Sequence, residues 1–133
     1  MTALSIGTMI GFAPTASAAT PVCNGQMRVA VGSYNVWAPT NEAPWLTLTT
    51  NCVMRQGMAG MDRGAISALQ YALRVCNGAN GLANDGQFGP LTTQAVRDFQ
   101  ARVGISADGV YGPQTRRAMY WPAIENGRCQ KIA

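Results

Sequence analysis

A chain of 133 residues with ten basic and six acidic side chains, net charge +4, four cysteines and no histidine is the size of one ordinary domain or two very small ones. Without histidine, neither Ser-His-Asp nor Cys-His nucleophilic arrangements can be assembled, and histidine-containing zinc sites are excluded, so no metal, no cofactor and no catalytic residue is expected. The basic residues are nearly all arginine, scattered and not interleaved with aromatics, which argues against nucleic acid as a partner.

In chain order, residues 4–13 (LSIGTMIGFA) form an apolar run of signal-peptide length, followed by Pro14 and by Ala16-Ser17-Ala18, an A-x-A cleavage pattern. The run is shorter than the roughly 18 residues of a membrane span. No Lys or Arg precedes it, a departure from the usual export signal. The expectation is a signal peptide over 1–18 and a secreted, extracellular or cell-wall-associated mature chain from Ala19, with no membrane partner after cleavage. Cys23, Cys52, Cys76 and Cys129 all fall in that exported part, none at C-x-x-C spacing, and read as a disulfide framework. Four cysteines allow three pairings. The preferred one joins Cys23 to Cys52 and Cys76 to Cys129, because each bond then ties one part of the chain to itself.

Residues 19–60 carry strand-like alternation: Met27, Val29 and Val31, then Tyr34, Val36 and Trp37, then Trp45, Leu46 and Leu48, with turn residues at Gly32-Ser33 and over 38–44. Two or three short antiparallel strands are expected. Residues 54–62 are a glycine-containing connector without a sustained period, and Asp62 can cap the helix after it. From there the period becomes helical. Ile66, Leu69, Leu73 and Cys76 mark a first helix stopped by Asn77-Gly78. Gly89-Pro90 opens a second with Leu91, Ala95, Val96, Phe99 and Val103 on one face, ended by Gly104. Gly112-Pro113 opens a third, running to about Trp121, where Pro122 closes it. The architecture expected is mainly α: a three-helix module over 61–133 with a small N-terminal antiparallel β-strand region over 19–60, linked by disulfides.

The most specific feature is an internal repeat. Asp85-Gly86-Gln87-Phe88-Gly89-Pro90-Leu91-Thr92 returns 23 residues later as Asp108-Gly109-Val110-Tyr111-Gly112-Pro113-Gln114-Thr115, with six of eight positions agreeing in kind. Asp accepts backbone N–H bonds in a tight turn, Gly tolerates positive φ, the aromatic anchors the loop to the core, and Gly-Pro launches the helix. Physically the motif is a loop that starts a helix.

These turns, with Leu69-Gln70 and Leu73 ahead of them, Ala95-Val96 and Phe99-Gln100 between them and Arg116-Arg117-Ala118 after them, resemble the type 1 peptidoglycan-binding domain over about residues 64–121. One departure is Arg63, where the family usually places a Gly, although Gly64 is adjacent. The resemblance implies a compact three-helix module that holds bacterial peptidoglycan, through its glycan or its stem peptide. Gln70 and Gln100 are candidate ligand contacts, since an amide bonds glycan hydroxyls or peptide groups but can equally brace a helix. Tyr111, Tyr120 and Trp121 offer flat faces to sugars, and Arg116 and Arg117 suit carboxylates. Asp85, Gly86, Phe88, Gly89 and Pro90, with Asp108, Gly109, Tyr111, Gly112 and Pro113, are expected to be structural turn residues. No pair among Glu42, Asp62, Asp85, Asp98, Asp108 and Glu125 has the setting of a glycosidase dyad. The function expected is non-catalytic binding of peptidoglycan. The alternative is a secreted scaffold that inhibits or recruits a cell-wall enzyme.

Overall fold

The computed structural model describes residues 19–42, 49–59 and 64–132. The expected signal segment 1–18, the third expected strand with Trp45, Leu46 and Leu48, and Asp62 and Arg63 lie outside the described residues.

The elements are β1 (Gly25–Val31), β2 (Tyr34–Thr40), α1 (Ala65–Cys76), α2 (Pro90–Val103), α3 (Pro113–Ala118), β3 (Tyr120–Pro122) and β4 (Cys129–Lys131). β1 and β2 form an antiparallel hairpin around Gly32-Ser33, with Val31 opposite Tyr34 and Arg28 opposite Trp37. Its alternation turns Val36 and Ala38 inward and leaves Trp37 outward. α1 buries Ile66, Leu69 and Leu73 as one stripe, and α2 starts with Pro90 at its first helical position and ends at Gly104 in the left-handed region.

The mainly α expectation is corrected. Among the described residues helix accounts for 31% and strand for 28%, so the fold there is α+β, with three short helices set among hairpins and bridges. The clearest departure is at the third helix, which stops at Ala118 where Met119 turns extended at φ −77° and ψ 152°. Tyr120–Pro122 then pairs with Cys129–Lys131 as a second two-stranded sheet. Two long-range ties explain why helix loses there. The Asn77 side chain clasps the Tyr120 backbone, donating to its carbonyl at 2.8 Å and accepting from its N–H at 3.0 Å. A disulfide from Cys76 to Cys129 holds β4 against the end of α1. A second disulfide joins Cys23 to Cys52, so the preferred pairing is the one observed. Loops of this length correspond to about 4 kcal/mol each by the loop-closure model.

α2 also departs from its predicted face. Val96 and Phe99 are buried, but Leu91 and Val103 face solvent, and the inward positions go instead to Thr92, Thr93 and Gln100. Polar side chains occupy the interior because the adjoining loops require them.

One apolar core runs through the molecule, from Cys23, Val36, Cys52 and Met54 to Ile66, Leu69, Phe88, Phe99, Tyr111, Trp121 and Ile132. The connector before α1 is the seam. Met54 and Tyr111 exchange backbone hydrogen bonds, both 2.9 Å, while Phe88 donates to Met58 at 3.0 Å and accepts from Gly57 at 2.9 Å. Each aromatic of the repeat is thus fixed twice, by its ring in the core and by its backbone on the connector.

Candidate binding surface

Two helix glutamines organise the repeated turns. The Gln70 amide nitrogen lies 3.0 Å from Asp85 Oδ1, 2.9 Å from the Gln87 carbonyl and 3.0 Å from Thr92 Oγ1, and its oxygen accepts from the Gly86 N–H at 2.9 Å. Gln100 stands in the same relation to Asp108, Val110, Thr115 and Gly109, at 3.0, 2.9, 3.0 and 2.9 Å. An amide has two N–H groups, so three acceptors around it share them. In each turn the aspartate also accepts from the N–H two residues on, at 3.0 Å from Gln87 and 2.9 Å from Val110. The glycine between sits at φ +71° in Gly86 and +74° in Gly109, where an L side chain is strained. The Gln70 amide, ahead of the Gln87 N–H, holds the Asp85 carboxyl below its ordinary range.

The structure separates the seven candidate contact residues into two groups. Gln70 and Gln100 are 1% exposed with the amides committed to the turns. Tyr111 and Trp121 are fully buried and meet edge to face at 6.2 Å, and burial pushes the Tyr111 phenol well above its usual range. Arg116 is buried, with Nη2 3.4 Å from Asn51 Oδ1. Only Arg117 and Tyr120 present themselves to solvent. The ten expected turn residues all lie in or beside the two braced loops.

Sequence reasoning did not find the groove of about 340 Å³ along the outer side of α2. The loop over 77–82 forms one wall and α2 the other. Leu82, Leu91, Ala95 and Phe99 supply apolar surface, while Gln94, Asp98 and Arg102 supply polar groups of both charge signs. Arg102 spans it, its guanidinium 5.6 Å from the Phe99 ring centroid and donating to the Asn77 carbonyl. Gln94 donates to Asp98 at 2.7 Å. Leu91 is 76% exposed, which is unusual for a large aliphatic side chain with no interior role. That exposure was readable in advance only by noticing that Leu91 stands beside a helix-starting proline, at the end of its stripe.

Residues 62–119 match the family model described as "Putative peptidoglycan binding domain". This segment is similar to the type 1 peptidoglycan-binding domain. It occupies less than half of the chain, and a search of curated proteins returns no match. Both braced turns and the whole α2 groove fall inside the peptidoglycan-binding domain. The hairpin β1–β2, the strand pair β3–β4 and the Cys23–Cys52 disulfide fall outside it.

Proposed function

We propose that this is an exported, non-catalytic binder of bacterial cell-wall peptidoglycan, acting through the α2 groove of its peptidoglycan-binding domain. The observation that carries the reading is the groove itself: a concave, apolar-floored surface with Asp98 and Arg102 on its rim, within the segment that matches a binding family. Ligand sites commonly combine such a floor with a few placed polar groups. Arg102 faces carboxylates of a stem peptide, and Asp98 faces an amine. Gln70 and Gln100 serve this function indirectly, by fixing the turns from which α2 and α3 start. The two disulfides and the A-x-A pattern after residues 4–13 support export and an extracellular or wall-associated location. We retain the division into a signal segment over 1–18, a β-rich region over 19–60 and the domain-bearing remainder over 61–133.

Sedimentation of the disulfide-intact chain with purified insoluble peptidoglycan tests the reading. The wild type is expected in the pellet at low salt, and Leu91→Glu is expected to weaken retention about tenfold, equivalent to about 1.4 kcal/mol. Because Leu91 has no role in the core, its replacement leaves the fold intact, which far-ultraviolet circular dichroism checks. A wild type that stays in the supernatant, or a folded Leu91→Glu variant that sediments as well as the wild type, overturns the assignment of this groove.

A further inference from the structure

A second concave surface lies outside the α2 groove, where the N-terminal hairpin meets α1 and the end of β3. Its volume is about 260 Å³ and its walls are Trp37 and Tyr71, with Pro122, Ala123, Ile124 and Gly127 completing it. Trp37 is 43% and Tyr71 42% exposed, so two large aromatic faces are left half in water at one depression. The space is below the roughly 300 Å³ at which pockets begin to hold drug-sized ligands, which suits one ring of a polymer.

The charge around the aromatics is mainly positive. Arg28 is directly opposite Trp37 across the hairpin and therefore on the same face. Arg74 lies 5.8 Å from the Tyr71 ring centroid. Tyr120, the exposed first residue of β3, carries Lys131 at 5.1 Å from its ring. The acid beside this surface, Glu125, is turned to the hairpin: its carboxylate accepts from the Asn35 side chain at 2.7 Å and from the Asn35 N–H at 3.1 Å, and it balances part of the Arg28 charge, leaving Arg74 and Lys131 beside the rings of Tyr71 and Tyr120. Exposed aromatics paired with cations, and a carboxylate drawn aside, complement a ligand with an apolar ring face and negative charge at its edge.

We propose that the Trp37–Tyr71 cleft is a carbohydrate subsite taking one pyranose ring of a carboxylate-bearing glycan, its C–H faces against the aromatic rings and its acid toward Arg28 and Arg74. The identity of that glycan as the peptidoglycan strand rests on the wall-binding function proposed above. The subsite is built mostly by chain outside the peptidoglycan-binding domain, with Tyr71 and Arg74 as the domain's contribution, and it gives the hairpin a binding role.

The test uses the disulfide-intact chain and two probes: peptide-free glycan strands prepared from peptidoglycan, and neutral N-acetylglucosamine oligosaccharides. In ¹⁵N–¹H spectra the Trp37 indole N–H is expected to shift with the peptide-free strands while that of buried Trp121 stays in place. Tyr71→Ala should weaken binding of the strands tenfold or more, and Trp37→Phe, which keeps a flat ring, should weaken it less than Trp37→Ala. Should Trp37→Ala lose its dispersed spectrum, the wild-type indole shift and Tyr71→Ala decide. The neutral oligosaccharides should bind at least several-fold more weakly. No Trp37 shift, or unchanged strand affinity in Tyr71→Ala, overturns the subsite, and equal affinity for the neutral probe overturns its acidic specificity. If intact peptidoglycan still sediments the chain after a negative strand titration, the wall reading stands and only the subsite falls. Absent sedimentation with a Trp37 shift gives the reverse result.

Discussion

The two repeated turns are near copies in geometry and unlike in setting. Gln70 lies 15 residues before its aspartate, whereas Gln100 lies 8 before its own. The brace distances nonetheless agree. The first turn opens a helix of 14 residues and the second a helix of 6. The turn is therefore a mechanical joint, indifferent to what lies between its parts, and the inequality between copies creates the surface. The longer connection after α1 supplies the loop over 77–82 that walls the α2 groove. The second copy, whose α3 runs directly into β3, has no equivalent loop to spare.

Removing a brace is the strongest way to break the comparison. Gln100→Leu keeps the volume but strips four contacts from one turn, leaving the Gly109 N–H without its acceptor in a buried place. Each unsatisfied buried group costs about 1 to 3 kcal/mol. A loss of about 3 kcal/mol or more is expected from urea unfolding, and Gln70→Leu should cost less, since its bond to Gly86 is only partly buried. Equal losses would mean that the setting of the turn does not matter. Losses under about 1 kcal/mol in both would remove the braces from the account of the fold.

Substituting the turn glycines distinguishes the copies more finely. Gly86→Ala and Gly109→Ala both place a side chain at positive φ, at about 1 to 2 kcal/mol. A Cβ on Gly109 would also stand 2.8 Å from Thr93 Cγ2, while on Gly86 its nearest neighbour is Ser67 Oγ at 3.3 Å. Gly109→Ala should consequently melt lower than Gly86→Ala. Indistinguishable melting temperatures would show that α2 yields around Thr93 without cost.

What the sequence revealed follows the range of the interactions involved. The turns were legible because aspartate, glycine and proline act on neighbours within two or three residues. The partners of Gln70 and Gln100 are distant in sequence, so the same residues remained open between ligand contact and brace. β3 was unreadable for a related reason: three residues of strand pattern cannot outweigh a helix reading, and the Asn77 clasp and the Cys76–Cys129 bond that decide it come from far along the chain. Tyr71 was missed, although a signal existed. It stands off the stripe of Ile66, Leu69 and Leu73, and an aromatic on the polar side of a helix invites the question of what it faces.

The smallest expected effect concerns the acid in the first turn. The Asp85 carboxylate is held below its ordinary pKa, chiefly by the Gln70 amide and then by the Gln87 N–H. A depressed folded-state pKa contributes stability that is fully present above the unfolded value, about 4, and is lost as pH falls through the folded one. Stability of the wild type should thus decline as pH falls below about 4, with Glu125, similarly lowered by the Asn35 side chain, contributing in the same direction. Asp85→Asn keeps an oxygen acceptor and removes the charge, so it should flatten part of that decline while leaving stability near pH 7 only slightly reduced. Because Asp85 is exposed, solvent screens the effect, and carbon-detected titration of its carboxyl is the sensitive measurement. A titration midpoint at or above the value of a free aspartate would show that neither the Gln70 amide nor the Gln87 N–H stabilises the charged carboxylate, leaving the amide to brace the turn through Gly86, the Gln87 carbonyl and Thr92.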